Sequence, residues 1–271
     1  MTETELLFTE ILNCSRMDLY LNKDIVLDKN ARFFIASALK RRIKGEPIQY
    51  ILGKADFMGL EFKVTPDVLI PRQETEILVE TAVKQVTKSQ GHKVTSVRIL
   101  DLGTGSGCIA VSLAKLLRDV EITATDISSK AIEIAEYNAG INNVSEKIKF
   151  INIDLSSSLG VYGCARYDII VSNPPYIPFG EINTLQAEIQ YEPRIALDGG
   201  SDGLDFYRRI IIGAAAGLLK KSGSLIMEMG FGQKEEIENI FRESGKYEII
   251  EITKDYSGID RVIAAQLLNG K

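Results

Sequence analysis

The fold of this chain is decided by residues 97–107, which read VRILDLGTGSG. The first six are mostly apolar and predict a strand, and a helix is predicted to follow at Ile109–Leu117. Three glycines, Gly103, Gly105 and Gly107, lie between the two elements. Glycine permits positive φ and a close approach of the backbone to a ligand, and open α/β sheets bind ligands at the carboxyl ends of their strands. The stretch therefore predicts a ligand-binding loop after the first strand of an α/β sheet.

The spacing of these glycines argues against two common nucleotide-binding loops. A phosphate loop ends in Gly-Lys-Ser/Thr, whereas Cys108 and Ile109 follow here, and the dinucleotide fingerprint GxGxxG needs glycine at position 108. The pattern that fits this loop is GxGxG preceded by an acidic residue, Asp101. A carboxylate there would attract the ammonium group of a ligand and repel a pyrophosphate. We predict that the loop binds its ligand through Asp101, Gly103, Thr104, Gly105, Ser106 and Gly107.

Two further strands are also predicted to end in acidic residues. Asp126 follows Ala124-Thr125, where a carboxylate can accept hydrogen bonds from both hydroxyls of a ribose. Asp154 and Leu155 follow the next strand, where a polar group can bind the amino nitrogen of adenine. Together with the glycine loop, these strand ends predict S-adenosylmethionine (AdoMet) as the cofactor and S-adenosylhomocysteine as its product, with no metal.

The fourth strand, 168–172, runs directly into Asn173-Pro174-Pro175-Tyr176. Alone, the two prolines indicate a rigid turn that ends the strand. If the turn lies beside the methyl group of AdoMet, the Asn173 side-chain oxygen and the Pro174 carbonyl can accept hydrogen bonds from the two N–H groups of a planar nitrogen. Tyr176 can stack on the flat substrate group that carries this nitrogen. We therefore predict Asn173, Pro174 and Tyr176 as catalytic, with Pro175 also binding the substrate and Asn173 also contacting AdoMet. This motif does not distinguish glutamine, adenine and guanine.

Strands and helices alternate after residue 96, which predicts a mostly parallel sheet with helices on both faces. The predicted strands are 97–102, 120–125, 147–153, 168–172, 224–228, 247–253 and 261–267, and the predicted helices are 109–117, 129–139, 206–219 and 234–243. The last two strands, joined by a turn at 256–258, predict an antiparallel hairpin at the edge of the sheet. The fold class is α/β with seven strands.

The residues before this sheet predict a small helical part and a connection. Helices are predicted at 2–12 and from Asp28, as the cap, towards Gly45, then a short β-hairpin within 57–64 and a helix at 74–86. The polar residues 88–95 predict a loop that contains His92 in solvent. Lys40, Arg41 and Arg42 lie in the last turns of the second helix, either as a solvated helix end or as a docking site for RNA or a ribosomal factor.

Composition limits the functional classes. The 271 residues carry a net charge of −5, which argues against a general nucleic-acid coat. Cys14, Cys108 and Cys164 are odd in number and lack metal-ligand spacing, which predicts reduced thiols. The absence of a signal-like N-terminus or a membrane-length apolar run predicts a cytoplasmic protein without membrane contact.

Several segments resemble the PrmC/HemK family of release factor glutamine methyltransferases over nearly the whole chain. They are GEPIQYILG at 45–53, LIPRQETE at 69–76, the glycine loop at 101–107, SNPPYI at 172–177, PRIAL at 193–197 and GGSDG at 199–203; Gln73 stands where the family usually has proline. The resemblance implies a class I AdoMet-dependent methyltransferase, Rossmann-like in its sheet. The implied domains are a helical docking domain at 1–53, a β-hairpin linker at 54–72 and the methyltransferase domain at 73–271.

The resemblance further implies methylation of the side-chain nitrogen (N5) of the GGQ glutamine in class I peptide chain release factors. It maps AdoMet onto the glycine loop, Asp126 and Asp154-Leu155, and the substrate onto 173–176. We expect a monomer with no direct nucleic-acid binding. The same motif leaves open a methyltransferase acting on a nucleobase amino group or on a ribosomal-protein glutamine, although ETE at 74–76 favours release factors. A non-catalytic AdoMet-binding module is disfavoured because Asn173 and Tyr176 are intact.

Overall fold

A computed structural model describes residues 2–22, 26–90, 96–154 and 166–268 of the chain. Leu155, His92 and Cys164, on which three of the predictions fall, lie outside the described residues. Cys14 and Cys108 are both free thiols. Within the described ranges, no helix is both long enough and apolar enough to cross a membrane.

Seven strands form one sheet: β3 (Val97–Leu102), β4 (Val120–Asp126), β5 (Ile148–Asn152), β6 (Tyr167–Ser172), β7 (Leu219–Glu228), β8 (Tyr247–Lys254) and β9 (Asp260–Leu267). Their order across the sheet is β5-β4-β3-β6-β7-β9-β8. Neighbours from β5 to β7 are parallel, and β9 pairs antiparallel with both β7 and β8. This confirms the predicted mostly parallel sheet and its C-terminal antiparallel hairpin. The chain reverses its direction of winding between β3 and β6, and such a switch point is where open α/β sheets bind ligands.

Helices cover both faces of the sheet, because successive side chains of a strand point to opposite faces and nearly all residues of β3 and β6 are buried. Ile99 of β3 enters one core cluster, and its neighbour Leu100 enters the other. The first cluster includes residues of α5 (Glu76–Gln90) and α6 (Cys108–Leu116), and α7 (Ser129–Ile141) adds Ala139. The second includes residues of α8 (Asp205–Arg208), α9 (Ala215–Leu218) and α10 (Lys234–Ser244).

The N-terminal part contains four described helices: α1 (Glu3–Leu12), α2 (Arg16–Leu21), α3 (Lys29–Ile43) and α4 (Ile48–Leu52). The prediction that Asp28 caps the second predicted helix, α3, is confirmed, since its carboxylate accepts from Ala31 N at 2.7 Å. The short helices α2 and α4 were not predicted, because five or six residues are too few to show a helical repeat. Leu7, Ala38, Ile48 and Ile51 form a small core of their own.

A two-stranded hairpin, β1 (Lys54–Phe57) and β2 (Leu60–Lys63), follows these helices and confirms the predicted hairpin. Its Phe57 and Phe62 are buried in the core on the α5–α7 side of the large sheet. Asn138 of α7 fixes the second strand, accepting from Lys63 N at 2.7 Å and donating to Lys63 O at 3.0 Å. The hairpin is therefore packed against the large sheet's own core.

The largest differences from the predicted elements concern α5, β7 and the helix at 206–219, and for the last two, contacts with distant residues override the local pattern. Helix α5 continues to Gln90, into the predicted polar loop. Strand β7 begins at Leu219 rather than 224, since Leu219 pairs with Tyr167 across a shift in register. The single helix predicted at 206–219 is interrupted by a π-helical segment, Arg209–Ala214, between α8 and α9. Such wide turns are common at functional sites.

Candidate active site

A cavity of about 310 Å³ opens at the switch point of the sheet. It lies at the carboxyl ends of β3, β4 and β6, which is where parallel strands place their loops. Its walls include Gly103, Gly105, Asp126, Asp154, Asn173, Pro174 and Pro175 from the predicted site. Residues not predicted complete it: Asp67–Leu69 before α5, Pro193 and Ile195, and Phe206, Arg209 and Ile210. The volume is in the range of small-molecule sites.

The glycine loop turns sharply between β3 and α6. Gly103, Gly105 and Gly107 have φ values of 75°, 55° and 82°, in the left-handed region that favours glycine. A Cβ atom on Gly107 would lie 2.9 Å from Ala135 Cβ of α7. The third glycine is therefore required by packing as well as by conformation, while the first two line the cavity.

Asp126 fastens this loop to the end of β4. One carboxylate oxygen accepts from Gly105 N at 2.9 Å, and the other accepts from Ser128 N at 2.9 Å. Burial raises the pKa of Asp126, and these backbone donors oppose that rise. Because the side chain also lines the cavity, it can both shape the loop and accept from a ligand.

Asp101, Thr104 and Ser106 are buried at the base of the loop and do not line the cavity. The Asp101 carboxyl is fully buried and accepts from the Thr104 hydroxyl at 2.7 Å. Burial raises the pKa of Asp101 to about 7. The Ser106 carbonyl accepts from Asn138 Nδ2 at 2.8 Å. In this geometry the three residues support the loop from below.

Asp154 faces the cavity together with a partner that the sequence did not predict. Its carboxylate accepts from Arg209 Nη2 at 2.8 Å, and the two side chains are 39% and 37% exposed. Arg209 also stacks on Phe206, with 4.9 Å from the guanidinium carbon to the ring centre. The π-helical segment begins at Arg209 and thus brings a cation to this wall of the cavity. Leu155, the other predicted residue of this wall, lies outside the described residues.

The turn at 173–176 presents Asn173 to the cavity. The amide nitrogen of Asn173 donates to the Thr75 hydroxyl at 3.1 Å, and that hydroxyl donates to the Glu228 carboxylate at 2.7 Å. Burial raises the pKa of Glu228 to about 7, although the bond from Thr75 opposes that rise. Sequence reasoning noticed Thr75 only as part of ETE and missed Glu228; an acid at the end of a buried strand was the available signal.

Tyr176 is held in a cradle of glycines rather than in the cavity wall. A Cβ atom on Gly199 would lie 2.8 Å from Tyr176 Cα, and one on Gly230 would lie 2.9 Å from the Tyr176 ring. Gln233 donates to the Tyr176 carbonyl at 2.9 Å. Burial raises the pKa of the Tyr176 hydroxyl. Close packing on this turn thus explains Gly199 and Gly203 of the GGSDG segment, and Gln233 is a contact that the sequence did not reveal.

The comparisons with known proteins agree with this geometry. Residues 1–53 match the family model described as PrmC N-terminal domain, and residues 73–190 match the one described as Methyltransferase small domain. The release factor glutamine methyltransferase of Geobacter sulfurreducens is 41% identical over 98% of this chain and 89% of its own length. The chain belongs to the release factor glutamine methyltransferase family. It is therefore an enzyme, a methyltransferase, as the sequence predicted.

Two further comparisons extend the finding. The release factor glutamine methyltransferase of Chlorobaculum tepidum is 40% identical over 95% of this chain and 87% of its own length. The structure of a human methyltransferase 10 domain containing protein is 18% identical, with a TM-score of 0.57 over 91% of this chain and 100% of that one. The latter shows the fold alone. The class I methyltransferase fold predicted from the sequence is confirmed by the sheet order and these matches.

Proposed function

We propose that this enzyme transfers a methyl group from AdoMet to the side-chain nitrogen (N5) of the glutamine in the GGQ motif of class I peptide chain release factors. The observation that carries the proposal is the Asn173 amide at the cavity wall. Its nitrogen is bound to Thr75, so its oxygen is left to accept from a substrate. An acceptor in this place suits an amide nitrogen, because its N–H groups become stronger donors as positive charge develops on it. One of these protons is released to solvent after the methyl group is transferred, and S-adenosylhomocysteine is the other product.

The residues around the cavity fit AdoMet. Asp126 offers carboxylate oxygens for the ribose hydroxyls, and Asp154 offers an acceptor for the adenine amino group, as the sequence predicted. Gly103 and Gly105 let the ligand approach the backbone closely. Bound there, AdoMet supplies an electrophilic methyl group on a sulfonium centre. We assign the cofactor contacts to these residues and to Asn173. Asp101, Thr104, Ser106 and Gly107 hold the loop in its shape.

The turn at 173–176 provides the chemistry of nitrogen attack. An amide nitrogen is a poor nucleophile because its lone pair is delocalised into the carbonyl. In our proposal the Asn173 oxygen and the Pro174 carbonyl accept hydrogen bonds from its two N–H groups. These bonds hold the nitrogen in line with the methyl group and favour the positive charge that develops on the nitrogen. Pro174 and Pro175 stiffen the turn so that both acceptors are in place beforehand. Tyr176, which the sequence predicted to stack on the substrate, packs against glycines behind the turn, so we assign it to holding the turn in place.

The choice of a release factor as substrate is supported by the relatives, whose names specify it. Residues 1–53 match a domain that is found at the N-terminus of PrmC proteins. We assign docking of the release factor to these helices, with 54–72 as the linker and 73–271 as the methyltransferase domain. In this proposal the enzyme is a monomer, and it methylates the release factor in the cytoplasm.

Radiolabelled AdoMet and a recombinant class I release factor test the proposal directly. We expect label on the factor with an intact GGQ motif and none on the same factor with that glutamine changed to alanine. Equal labelling of the two factors would refute the proposed target. Labelling of RNA or of ribosomal protein alone would assign the site to a different substrate class.

A further inference from the structure

A chain of two hydrogen bonds, the first part-buried and the second buried, leads away from the substrate side of the cavity. It runs from the Asn173 amide nitrogen to the Thr75 hydroxyl, over 3.1 Å, and from that hydroxyl to the Glu228 carboxylate, over 2.7 Å. Thr75 is 2% exposed and Glu228 is 1% exposed. The three residues come from the turn after β6, the helical turn before α5 and the end of β7. Along the chain, Thr75 is 98 residues from Asn173 and 153 residues from Glu228.

The direction of these bonds follows from the chemistry of the three groups. An ionised carboxylate is an acceptor only, so the Thr75 hydroxyl must spend its single proton on Glu228. The hydroxyl oxygen can then only accept from Asn173, and the amide must present its NH₂ group to Thr75. The amide oxygen is thereby turned towards the cavity. If either of these two hydrogen bonds ran in the opposite direction, the Asn173 oxygen would face Thr75. Its NH₂ group would then face the cavity and repel the N–H groups of the substrate.

We propose that Thr75 and Glu228 are positioning residues that hold the Asn173 amide with its oxygen towards the substrate nitrogen. This inference rests on the acceptor role proposed for Asn173. Neither residue contacts the substrate or the cofactor in this account. Their effect is to select one of the two amide orientations of Asn173, which differ little in shape and are opposite in hydrogen bonding.

Burial of Glu228 supports a specific role over simple packing. Placing a carboxylate in an apolar core is costly unless partners compensate it, and well-packed apolar residues are often at least as stable in such a place. The only function of the Thr75 hydroxyl in the described contacts is to join Asn173 to this carboxylate. A residue kept only for packing would not need a buried charge here.

Several titratable groups face Glu228 from the elements around it. They are Arg261 of β9, which lowers its pKa; Glu74, which raises it; Tyr176, whose hydroxyl lowers it; and the buried Tyr207 and Cys108, which feel its charge. Burial is the largest cause of the raised pKa of Glu228, and with these neighbours the pKa is about 7. Protonated Glu228 can donate to Thr75, so the hydroxyl proton becomes free to donate to Asn173. The proposal therefore expects kcat to fall as pH decreases through about 7.

Threonine variants separate the hydroxyl from its packing. We expect Thr75→Val to lower kcat roughly tenfold or more, as for loss of a group that orients a reacting residue, with little change in the Kd for AdoMet. Thr75→Ser keeps the hydroxyl and should restore most of kcat. Thr81→Val is the matched control, because Thr81 is also a buried threonine, in the adjoining helix α5, but donates to the carbonyl of Ile77. It should leave kcat unchanged.

A glutamate variant tests the charge. Glu228→Gln does not titrate near neutral pH and can turn either its oxygen or its NH₂ group towards Thr75, so it no longer fixes the direction of the hydrogen bonds. We expect a lower kcat and loss of the decrease below pH 7, measured at saturating AdoMet and release factor. Turnover of Glu228→Gln equal to that of the wild type at every pH would overturn the role of Glu228.

The outcomes distinguish this inference from the proposed function. If Asn173→Ala is inactive while Thr75→Val turns over like the wild type, the positioning role is wrong and the acceptor role stands. If Thr75→Ser is as slow as Thr75→Val, side-chain packing explains the effect and the positioning role is wrong. If Asn173→Ala itself turns over normally, the proposed function fails first. Thermal unfolding of each variant beside Thr81→Val identifies any loss that is due to misfolding.

Discussion

The glycine loop at 103–107 and the turn at 173–176 border the same cavity but are held in place differently. The glycine loop is bonded to the strand beside it: the N–H groups of Gly103 and Gly105 donate to Thr125 and Asp126 at 2.9 Å. The turn is held by side chains from elsewhere in the chain. Thr75 binds Asn173 from 98 residues away, and Gln233 binds Tyr176 from 57 residues away.

This difference shows which part of the site depends on the whole fold. Two neighbouring parallel strands, three glycines and α7, the helix that follows the second of these strands, shape the loop. The turn needs α5, β7 and the residues before α10 to meet around it, which requires the complete sheet. We therefore expect changes near the loop to act on AdoMet binding, and changes near the turn to act on turnover.

The largest effect is expected from Asn173→Ala. Removal of the acceptor should lower kcat about 10²-fold or more, as for loss of one preorganised polar partner. The Kd for AdoMet, measured by calorimetry, should stay close to the wild-type value because the glycine loop is untouched. Asn239→Ala, at an exposed position of α10, is the control. Unchanged turnover in Asn173→Ala would refute the acceptor role and with it the assignment of the turn to catalysis.

The second effect concerns the glycine cradle of the turn. Gly203→Ala places a Cβ atom against the Tyr176 carbonyl oxygen and 2.7 Å from Gln233 Nε2, at a φ of 78°. Gly232→Ala has nearly the same φ, 79°, with no atom within 4 Å of the new Cβ. Overpacking should make Gly203→Ala less stable than Gly232→Ala by about 2 kcal/mol, and urea unfolding measures the difference. Equal stability of the two variants would mean that the cradle does not constrain the turn.

A smaller effect is expected on the loop side from Asp126→Asn. Both carboxylate oxygens of Asp126 accept backbone N–H groups, and an amide must set an NH₂ group against one of them. The Kd for AdoMet should rise about tenfold, close to the cost of one unpaired donor, while kcat at saturating AdoMet stays near the wild-type value. Asp119→Asn, exposed before the opposite end of β4, is the control. A change in kcat without a change in Kd would break the proposed division between loop and turn.

Most of the sheet and both loops were predictable from the sequence. Strand β3 begins and ends where the apolar run 97–102 does, and the glycines and prolines mark the loops, because these signals are local in the chain. The π-helical segment at Arg209 and the early start of β7 were not predictable. Both depend on contacts with distant residues: Arg209 meets Asp154, and Leu219 pairs with Tyr167.

The sequence by itself determined the α/β order, the place of the glycine loop and the identity of the turn at Asn173, since each is encoded by residues adjacent in the chain. Only the tertiary structure decided which way the Asn173 amide faces. That orientation depends on a buried hydroxyl at 75 and a buried carboxylate at 228. No local pattern joins these residues, and hydrogen bonds have a direction only once donor and acceptor are in contact.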